Sequence, residues 1–235
     1  MHLKKVTLYP ERFPTNRYYP FNLEVFRKTR EIAFKTPVTF FIGENGTGKS
    51  TLLRALSHRC GIHIWHGVTR TRYEKNPYED KLYRVLEVEW ADGAVPGSFF
   101  ASEHFQDFAQ LLDEWANETP DILQYFGGKS LMTQSHGQSI LTYFRSRYER
   151  EGLYFMDEPE TALSPKSQIS LLKLLGEMAT AGHAQFIIAT HSPILLSCPD
   201  AVIYDFNRVP IRETTFESCE PYRVYRDFFK SLGNR

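Results

Sequence analysis

The sequence predicts an α/β fold in which helices cover both faces of a parallel sheet. Beyond residue 152, segments with strand and helix patterns alternate: strand 153–156, helix 167–181, strand 185–189, a helix from Pro193, and strand 201–206. Strands that alternate with helices form parallel sheets, because each helix crosses over one face of the sheet. Val38–Ile42 (VTFFI) is apolar without interruption, which is typical of a strand buried on both faces.

Shorter segments surround this predicted sheet. Strands are predicted at Lys4–Leu8, at Glu31–Phe34 and, from its alternating pattern, at Leu82–Trp90. Amphipathic helices are predicted at Ser50–Arg59, Phe105–Glu118, Ser139–Glu151 and Tyr222–Leu232.

The composition restricts the class of protein. The length of 235 residues suits one large α/β domain, with or without inserted subdomains. Basic and acidic residues number 28 each, so there is no general attraction to nucleic acid or anionic lipid. No apolar run approaches the roughly 20 residues that span a bilayer, so no transmembrane segment is expected. Cys60, Cys198 and Cys219 lack metal-ligand spacing and indicate reduced thiols in a cytoplasmic protein.

A glycine-rich loop after the strand at 38–42 predicts a phosphate-binding site. It reads Gly43, Glu44, Asn45, Gly46, Thr47, Gly48, Lys49 and Ser50, a complete G-x-x-x-x-G-K-[ST] pattern. Glycines let successive backbone N–H groups curl around phosphates without Cβ clashes. The helix that follows directs its positive N-terminal end at the same place. We therefore expect this loop, the cradle, to bind ATP.

The last residues of the pattern have distinct expected roles. Lys49 would reach the β- and γ-phosphates, and the Ser50 hydroxyl would ligate Mg²⁺. Thr51 would add a contact to the α-phosphate, although an ordinary helix position explains it almost as well.

Two carboxylates follow the apolar strand Leu153–Met156. In P-loop enzymes, an aspartate that binds Mg²⁺ lies at the end of a strand beside the one that precedes the cradle. Asp157 fits that role. Glu158 would point elsewhere and orient or deprotonate the attacking water. Adjacent acidic residues are common on surfaces, so the pair alone is a weak signal. It indicates a catalytic site because it follows an apolar strand downstream of the glycine-rich loop.

His191 follows the predicted strand 185–189. Ligands of open α/β sheets bind at the carboxyl ends of the strands, where His191 could hydrogen-bond the γ-phosphate. A single histidine is more often a surface residue or a satisfied core residue, and only the other motifs favour the catalytic interpretation.

Together these segments resemble the ATP-binding cassette (ABC) superfamily, and more the soluble SMC, RecF and RecN-like ATPases than transporter subunits. The matching segments occur in family order: Gly43–Ser50 as Walker A, Gln134–Gln138 as the signature, Leu153–Glu158 as Walker B, Thr161–Ser164 as the D-loop and His191 as the switch histidine. The whole chain is similar to a group of small bacterial stand-alone AAA/ABC-type ATPases.

The resemblance implies a P-loop NTPase with an ABC-ATPase-like core sheet, helices on both faces and an N-terminal antiparallel β portion. It implies a single domain, 1–235, with a lid or helical subdomain inserted at about 61–134. In the signature, Ser135 and Gly137, with Gln138 beside them, would contact the γ-phosphate of ATP bound to a second subunit. His136 replaces the first signature glycine, a position at which SMC-like proteins vary, so binding to the ATP of the second subunit is still expected. Ser164 replaces the usual D-loop aspartate, which weakens the expected coupling between subunits.

Two further family positions have alternatives. Glu103 or Gln106 could be the lid residue, and either is equally explained as a plain loop or helix residue. Tyr19 or Phe21 could stack on adenine, although packing in the core explains both better.

The resulting expectation is an ATP-binding and ATP-hydrolysing homodimer that encloses two ATP molecules and acts as a switch on a partner, in DNA maintenance or phage defence. The alternatives are a nucleotide-binding subunit of a transporter and a scaffold without turnover. Arg145, Arg147 and Arg150 could follow a DNA backbone, but a solvated helix face explains them better, since Glu149 and Glu151 lie between and beside them.

Overall fold

The computed structural model describes residues 1–65, 76–126, 128–133 and 136–233. The strands are β1 (Leu3–Leu8), β2 (Glu31–Ala33), β3 (Val38–Ile42), β4 (Leu86–Trp90), β5 (Gly97–Ala101), β6 (Gly152–Asp157), β7 (Ala184–Ala189), β8 (Val202–Asp205) and β9 (Arg212–Thr214). The helices are α1 (Glu24–Lys28), α2 (Lys49–Arg59), α3 (Phe105–Glu118), α4 (His136–Tyr148), α5 (Pro165–Ala181), α6 (Pro193–Leu196) and α7 (Glu220–Gly233).

A six-stranded sheet forms the centre of the molecule, in the order β5-β6-β7-β3-β8-β9. Neighbouring strands from β5 to β8 pair in parallel, and β9 is antiparallel to β8. Every residue of β3, β6 and β7 is buried, because both faces of these central strands are covered. The predicted α/β class and its parallel sheet are confirmed.

A second, three-stranded antiparallel sheet has the order β2-β1-β4 and matches the predicted N-terminal β portion. The strand predicted at Leu82–Trp90 begins only at Leu86, since residues 82–85 form a 3-10 turn. This turn buries both Leu82 and Val85, because residues three apart lie on the same side of a 3-10 helix. A strand would have turned one of them toward solvent.

Two apolar layers cover the faces of the central sheet. One layer joins α2 and the antiparallel sheet to Phe41, and the other joins α3, α4 and α5 to Phe40 and Ile42. Successive β3 side chains therefore enter opposite layers, as a strand buried on both faces requires.

The region predicted as an inserted subdomain contributes to both sheets, through β4 and β5, and adds α3 to the second layer. Its description as one unit at about 61–134 stays a prediction. No helix among the described residues is both long enough and apolar enough to cross a bilayer.

The buried side chain of Gln185 joins the two sheets. Its Oε1 accepts hydrogen bonds from the backbone N–H groups of His2 (2.8 Å) and Leu3 (2.7 Å), and its Nε2 donates to the carbonyl of Leu3 (2.9 Å). One amide therefore satisfies three backbone groups at the start of β1.

Replacing this amide with an apolar side chain of similar size should destabilise the fold. We expect Gln185→Leu to lower the free energy of unfolding by about 3 kcal/mol or more, because three buried backbone groups would lose their partners. Chemical denaturation measures the change. Gln110→Leu, at an exposed position of α3, is the matched control and should change stability little; equal effects of the two substitutions would contradict the interpretation.

Candidate nucleotide-binding site

Three neighbouring parallel strands end level at one edge of the central sheet. Phe41 of β3 pairs with Ala189 of β7, and Ala189 pairs with Asp157 of β6. The loops that leave these strands carry the glycine-rich segment, the two carboxylates and His191. The sheet thus brings together the side chains that the sequence predicted from three separate motifs.

The glycine-rich loop lies between β3 and α2, and its shape depends on glycine. Gly48 has a φ of 101°, a conformation that L side chains rarely adopt, and a Cβ there would lie 2.7 Å from the ring of Phe26. At Gly43, a Cβ would lie 3.0 Å from Cβ of Phe206 and 3.2 Å from Oδ1 of Asn207. The loop is therefore held between α1 and the segment after β8.

Lys49 is a buried cation, only 4% exposed. Its Nζ donates to the carbonyl oxygens of Gly43 (2.6 Å) and Glu44 (2.9 Å), across the opening of the loop. Burial lowers the pKa of Lys49, while the negative charges of Glu158 and Asp157 act in the opposite direction. A buried ammonium group enclosed by a glycine-rich loop fits a phosphate chain, which would supply the compensating negative charge.

Ser50 and Asp157 form a pair of oxygen donors beside Lys49. The Ser50 hydroxyl donates to Oδ1 of Asp157 at 2.7 Å. Burial raises the pKa of Asp157, and the hydrogen bond from Ser50 counteracts this effect. Hydroxyl and carboxylate oxygens are ligands that Mg²⁺ accepts together with substrate phosphates, so these residues fit the predicted metal site.

Glu158 has an unusual backbone that is fixed on several sides. Its φ of 47° and ψ of 55° are left-handed, a conformation that costs a non-glycine residue roughly 1–2 kcal/mol. Its N–H donates to the carbonyl of Ala189 (2.9 Å), and its own carbonyl accepts from the Ser102 hydroxyl (2.9 Å). The strain and the contacts together hold the Glu158 carboxylate in the site, separate from that of Asp157.

His191 faces Glu158 across the site. Nε2 of His191 lies 3.7 Å from Oε1 of Glu158, and it is shielded from solvent without a hydrogen-bond partner among the described residues. Burial, reinforced by the charge of Lys49, lowers the pKa of His191 and favours the neutral ring. A buried ring nitrogen without a partner fits a phosphate oxygen at this position.

Glu160 was not among the predicted site residues, yet it fixes the position of His191. Its Oε1 accepts the backbone N–H of His191 at 2.5 Å, and burial raises its pKa. Glu160 is half-buried, and neither this burial nor its contact with His191 could be seen in the sequence.

Arg54 and Asn207 were also missed. Nη2 of Arg54 lies 2.8 Å from Oε1 of Glu103 and 3.7 Å from Oδ2 of Asp157. Asn207 accepts the N–H of Glu44 (2.8 Å) through Oδ1, so the segment after β8 anchors the glycine-rich loop. Neither residue belongs to a recognisable motif.

Part of the predicted signature lies outside the described residues, namely Gln134 and Ser135. Gly137 lies in the first turn of α4, where a Cβ would be 3.3 Å from the Ser167 hydroxyl and 4.0 Å from the carbonyl of Ala162. The start of α4, including Gln138, is therefore next to the D-loop. Ser164 caps α5 by accepting the N–H of Ser167 at 3.2 Å.

The structure distinguishes the remaining alternatives by position. Glu103 lines the cavity that Ser50, Asp157 and Glu158 enclose, whereas Gln106 is exposed on α3. Phe21 is fully buried in the core, while the hydroxyl of the partly exposed Tyr19 hydrogen-bonds that of Thr51. Glu103 and Tyr19 are thus the better placed of each pair, although their roles stay predictions.

Two family models match the parts of the chain that carry these motifs. Residues 21–59 match a model described as "AAA domain". Residues 137–197 match a model described as "AAA domain, putative AbiEii toxin, Type IV TA system". The first match covers the glycine-rich loop and α2, and the second covers the region from α4 to α6.

Curated relatives match over much of the chain. "Putative phosphonates utilization ATP-binding protein PhnK" of Escherichia coli K12 is 25% identical over 64% of this chain and 67% of its own length. The ferric enterobactin transport ATP-binding protein FepC of the same organism is 26% identical, over 60% of this chain and 57% of its own. The chain thus spans about half to two thirds of the length of these relatives.

Solved structures with a similar arrangement include the SMC head domain from Thermotoga maritima, which is 16% identical with a TM-score of 0.46 and coverage of 92% of this chain and 99% of that chain. They also include cbiO1 from Clostridium perfringens, part of the transporter complex cbiONQ, which is 19% identical with a TM-score of 0.48 over 85% of this chain and 87% of that chain.

The motifs converge on one edge of a parallel sheet, the family models cover the cradle and the region from signature to switch histidine, and the relatives are ATP-binding proteins. These features together support an ABC-type P-loop ATPase.

Proposed function

We propose that the protein binds Mg-ATP at the glycine-rich loop and hydrolyses it with Glu158 as the base. The observation that carries this proposal is the convergence of Lys49, the Ser50–Asp157 pair, Glu158 and His191 at the level ends of β3, β6 and β7. This arrangement supplies a cation, a pair of metal ligands, a carboxylate and an imidazole around one point.

Each residue has a defined task in this reaction. Lys49 and the loop N–H groups would hold the β- and γ-phosphates. Ser50 and Asp157 would hold Mg²⁺, which would supply positive charge to offset that of the phosphates. Glu158 orients a water molecule and takes its proton as the water oxygen attacks the γ-phosphorus and the bond to the β-γ bridging oxygen breaks. The neutral ring of His191 hydrogen-bonds a γ-phosphate oxygen.

The proposed active unit is a homodimer with ATP at the interface. One chain carries one cradle and one signature, and the start of α4 lies next to the D-loop of its own chain rather than among the residues around Lys49. Two chains that face each other head to tail would complete two sites, with Ser135, Gly137 and Gln138 of one chain over the ATP of the other. ATP binding would close this dimer and hydrolysis would open it.

The process that this switch serves is proposed from the resemblance to stand-alone ATPases, as DNA maintenance or phage defence. One of the matching family models is described by a toxin and a type IV TA system, which favours a role of this kind. Direct DNA binding has less support, because Arg147 lines an apolar cavity and Arg150 stacks over the ring of Tyr125, so these arginines do not form one exposed stripe with Arg145.

A transporter subunit is the second candidate function, and one observation favours it. A cavity of about 210 Å³ lies between α3, α4 and β5, lined by aromatic side chains that include Phe99, Phe105 and Phe108. This is where a helix of a membrane partner would have to dock. The names of two relatives refer to phosphonates utilization and to ferric enterobactin transport. Recovery of the native protein from its host distinguishes the two: a co-purifying integral membrane protein would favour transport.

Removal of the cradle lysine should abolish nucleotide binding. We expect Lys49→Ala to weaken ATP binding by at least about 100-fold, since a buried charge-assisted contact to the phosphates is lost. Titration with a fluorescent ATP analogue measures the change. Lys173→Ala, at an exposed position of α5, is the control. Retained affinity in a folded Lys49→Ala protein would count against the cradle.

Neutralising the base should trap the ATP-bound dimer. We expect Glu158→Gln to bind ATP normally, to lose at least about 100-fold in hydrolysis rate, and to elute as a dimer with Mg-ATP in gel filtration. Glu177→Gln, on the exposed face of α5, should behave like the unsubstituted protein. A Glu158→Gln protein that stays monomeric at saturating Mg-ATP would refute the dimer switch.

Glu160 should act as a positioning residue for His191. Glu160→Ala removes the acceptor of the His191 N–H, and we expect it to lower kcat by about tenfold while the KM for ATP changes little. Glu160→Gln keeps an oxygen at this place and should restore most of the rate. Equal losses in both variants would exclude the positioning role.

A further inference from the structure

Helix α7 presents an apolar face that the described part of the chain leaves uncovered. Pro221, Val224, Tyr225, Phe228, Phe229 and Leu232 fall within one side of the helix, at the spacing of an amphipathic helix. The last five of these are between 44% and 61% exposed, and none of the described residues of α7 is buried. Apolar residues clustered in this way mark interaction sites more often than scattered ones do.

The helix needs packing to be stable. It has 14 residues, a length at which an isolated helix is marginal in water. Its described contacts to the body are at its beginning, where Tyr222 packs on Phe216 and Glu220 accepts a hydrogen bond from Asn207 at 3.2 Å. The part from Val224 onward therefore has an apolar face that is available to a partner.

The apolar face of α7 begins at the nucleotide site. Val224 and Tyr225 line a cavity of about 520 Å³ together with Gly43, Asn45 and His191. Asn207 links the two regions directly, because its Oδ1 accepts the N–H of Glu44 in the glycine-rich loop while its Nδ2 donates to Glu220 at the start of α7. Whatever covers α7 must therefore come close to the cradle.

Two exposed apolar side chains lie close in sequence to the residues of the other half of the proposed composite site. Met132 is 53% exposed and lies five residues before Gly137. Ile169 is 46% exposed and lies two residues after Ser167, the neighbour of Gly137. One chain thus carries an exposed apolar helix face beside its cradle and two exposed apolar side chains near its signature.

We propose that α7 is a dimerisation element, whose apolar face packs against the surface of a second copy that carries Met132 and Ile169. The inference rests on the proposed ATP dimer, because only a head-to-tail arrangement brings the cradle of one chain to the signature of the other. The apolar face of α7 of one chain would then cover Met132 and Ile169 of the other. Two equivalent contacts form in a symmetric dimer.

The charges of α7 favour a protein surface over a membrane. Its polar side carries Arg223, Arg226 and Lys230, but Asp227 pairs with Arg226 at 2.8 Å and Glu220 adds a second negative charge. Helices that lie on membranes carry an excess of Lys and Arg on this side. The near balance in α7 gives only weak attraction to anionic lipid.

The test uses the full chain in the Glu158→Gln background, with Mg-ATP, in analytical ultracentrifugation. We expect Phe228→Glu, and independently Met132→Glu, to raise the dimer dissociation constant by at least about tenfold, since aromatic and apolar anchors dominate interfaces. Lys230→Glu places the same acidic side chain on the polar side of α7, opposite the apolar face, and should leave the constant unchanged. Phe228→Ala should give a smaller effect in the same direction as Phe228→Glu.

Binding of a fluorescent ATP analogue to the same variants should be unchanged, because Phe228 and Met132 do not line the nucleotide site. If Glu158→Gln forms the dimer and Phe228→Glu leaves it intact, the role of α7 is refuted while the proposed function stands. If Glu158→Gln itself forms no dimer, both are refuted. Binding to phosphatidylserine vesicles that Phe228→Glu abolishes, with dimerisation unaffected, would assign α7 to a membrane and overturn the inference.

Discussion

The site depends on three parallel strands that end at the same level. Because Phe41, Ala189 and Asp157 are in register, the loops after β3, β7 and β6 leave the sheet side by side. Each loop contributes one kind of group: an ammonium, an imidazole or a carboxylate. A shift of one strand by one residue relative to its neighbours would turn each of its side chains to the other face of the sheet. Apolar packing on both faces therefore determines the polar geometry at the edge.

Burial makes the charges at this edge strongly dependent on one another. Lys49 interacts with Glu158, Asp157 and Glu160, and burial raises the pKa values of Asp157 and Glu160 while it lowers that of Lys49. Partly buried charges interact more strongly than exposed ones, because water and salt screen them less. A triphosphate with Mg²⁺ would enter a site in which positive and negative groups are already separated by fixed hydrogen bonds, so little reorganisation is needed around the reacting phosphate.

Residues within motifs could be located from the sequence, whereas residues that act through tertiary contacts could not. The strand at Val38–Ile42 was predicted with its observed bounds, since an unbroken apolar run has one simple explanation. Glu160 and Asn207 escaped prediction because their importance arises from hydrogen-bond partners 31 and 163 residues away. The 3-10 turn at 82–85 also depends on burial of both ends of the turn, which overrides the alternating pattern.

In the proposed dimer, the link through Asn207 would give the C-terminal helix a means to respond to the nucleotide. Ser164 replaces the aspartate of the family D-loop, and here it caps α5, a task that either residue performs. The change therefore leaves the helix intact and removes only a charged group from the expected interface. A hydrogen-bonded path from Glu44 through Asn207 to Glu220 joins the cradle to α7 instead. With α7 at the interface, movement of the glycine-rich loop would reach the second subunit through two hydrogen bonds and one helix, without a D-loop carboxylate.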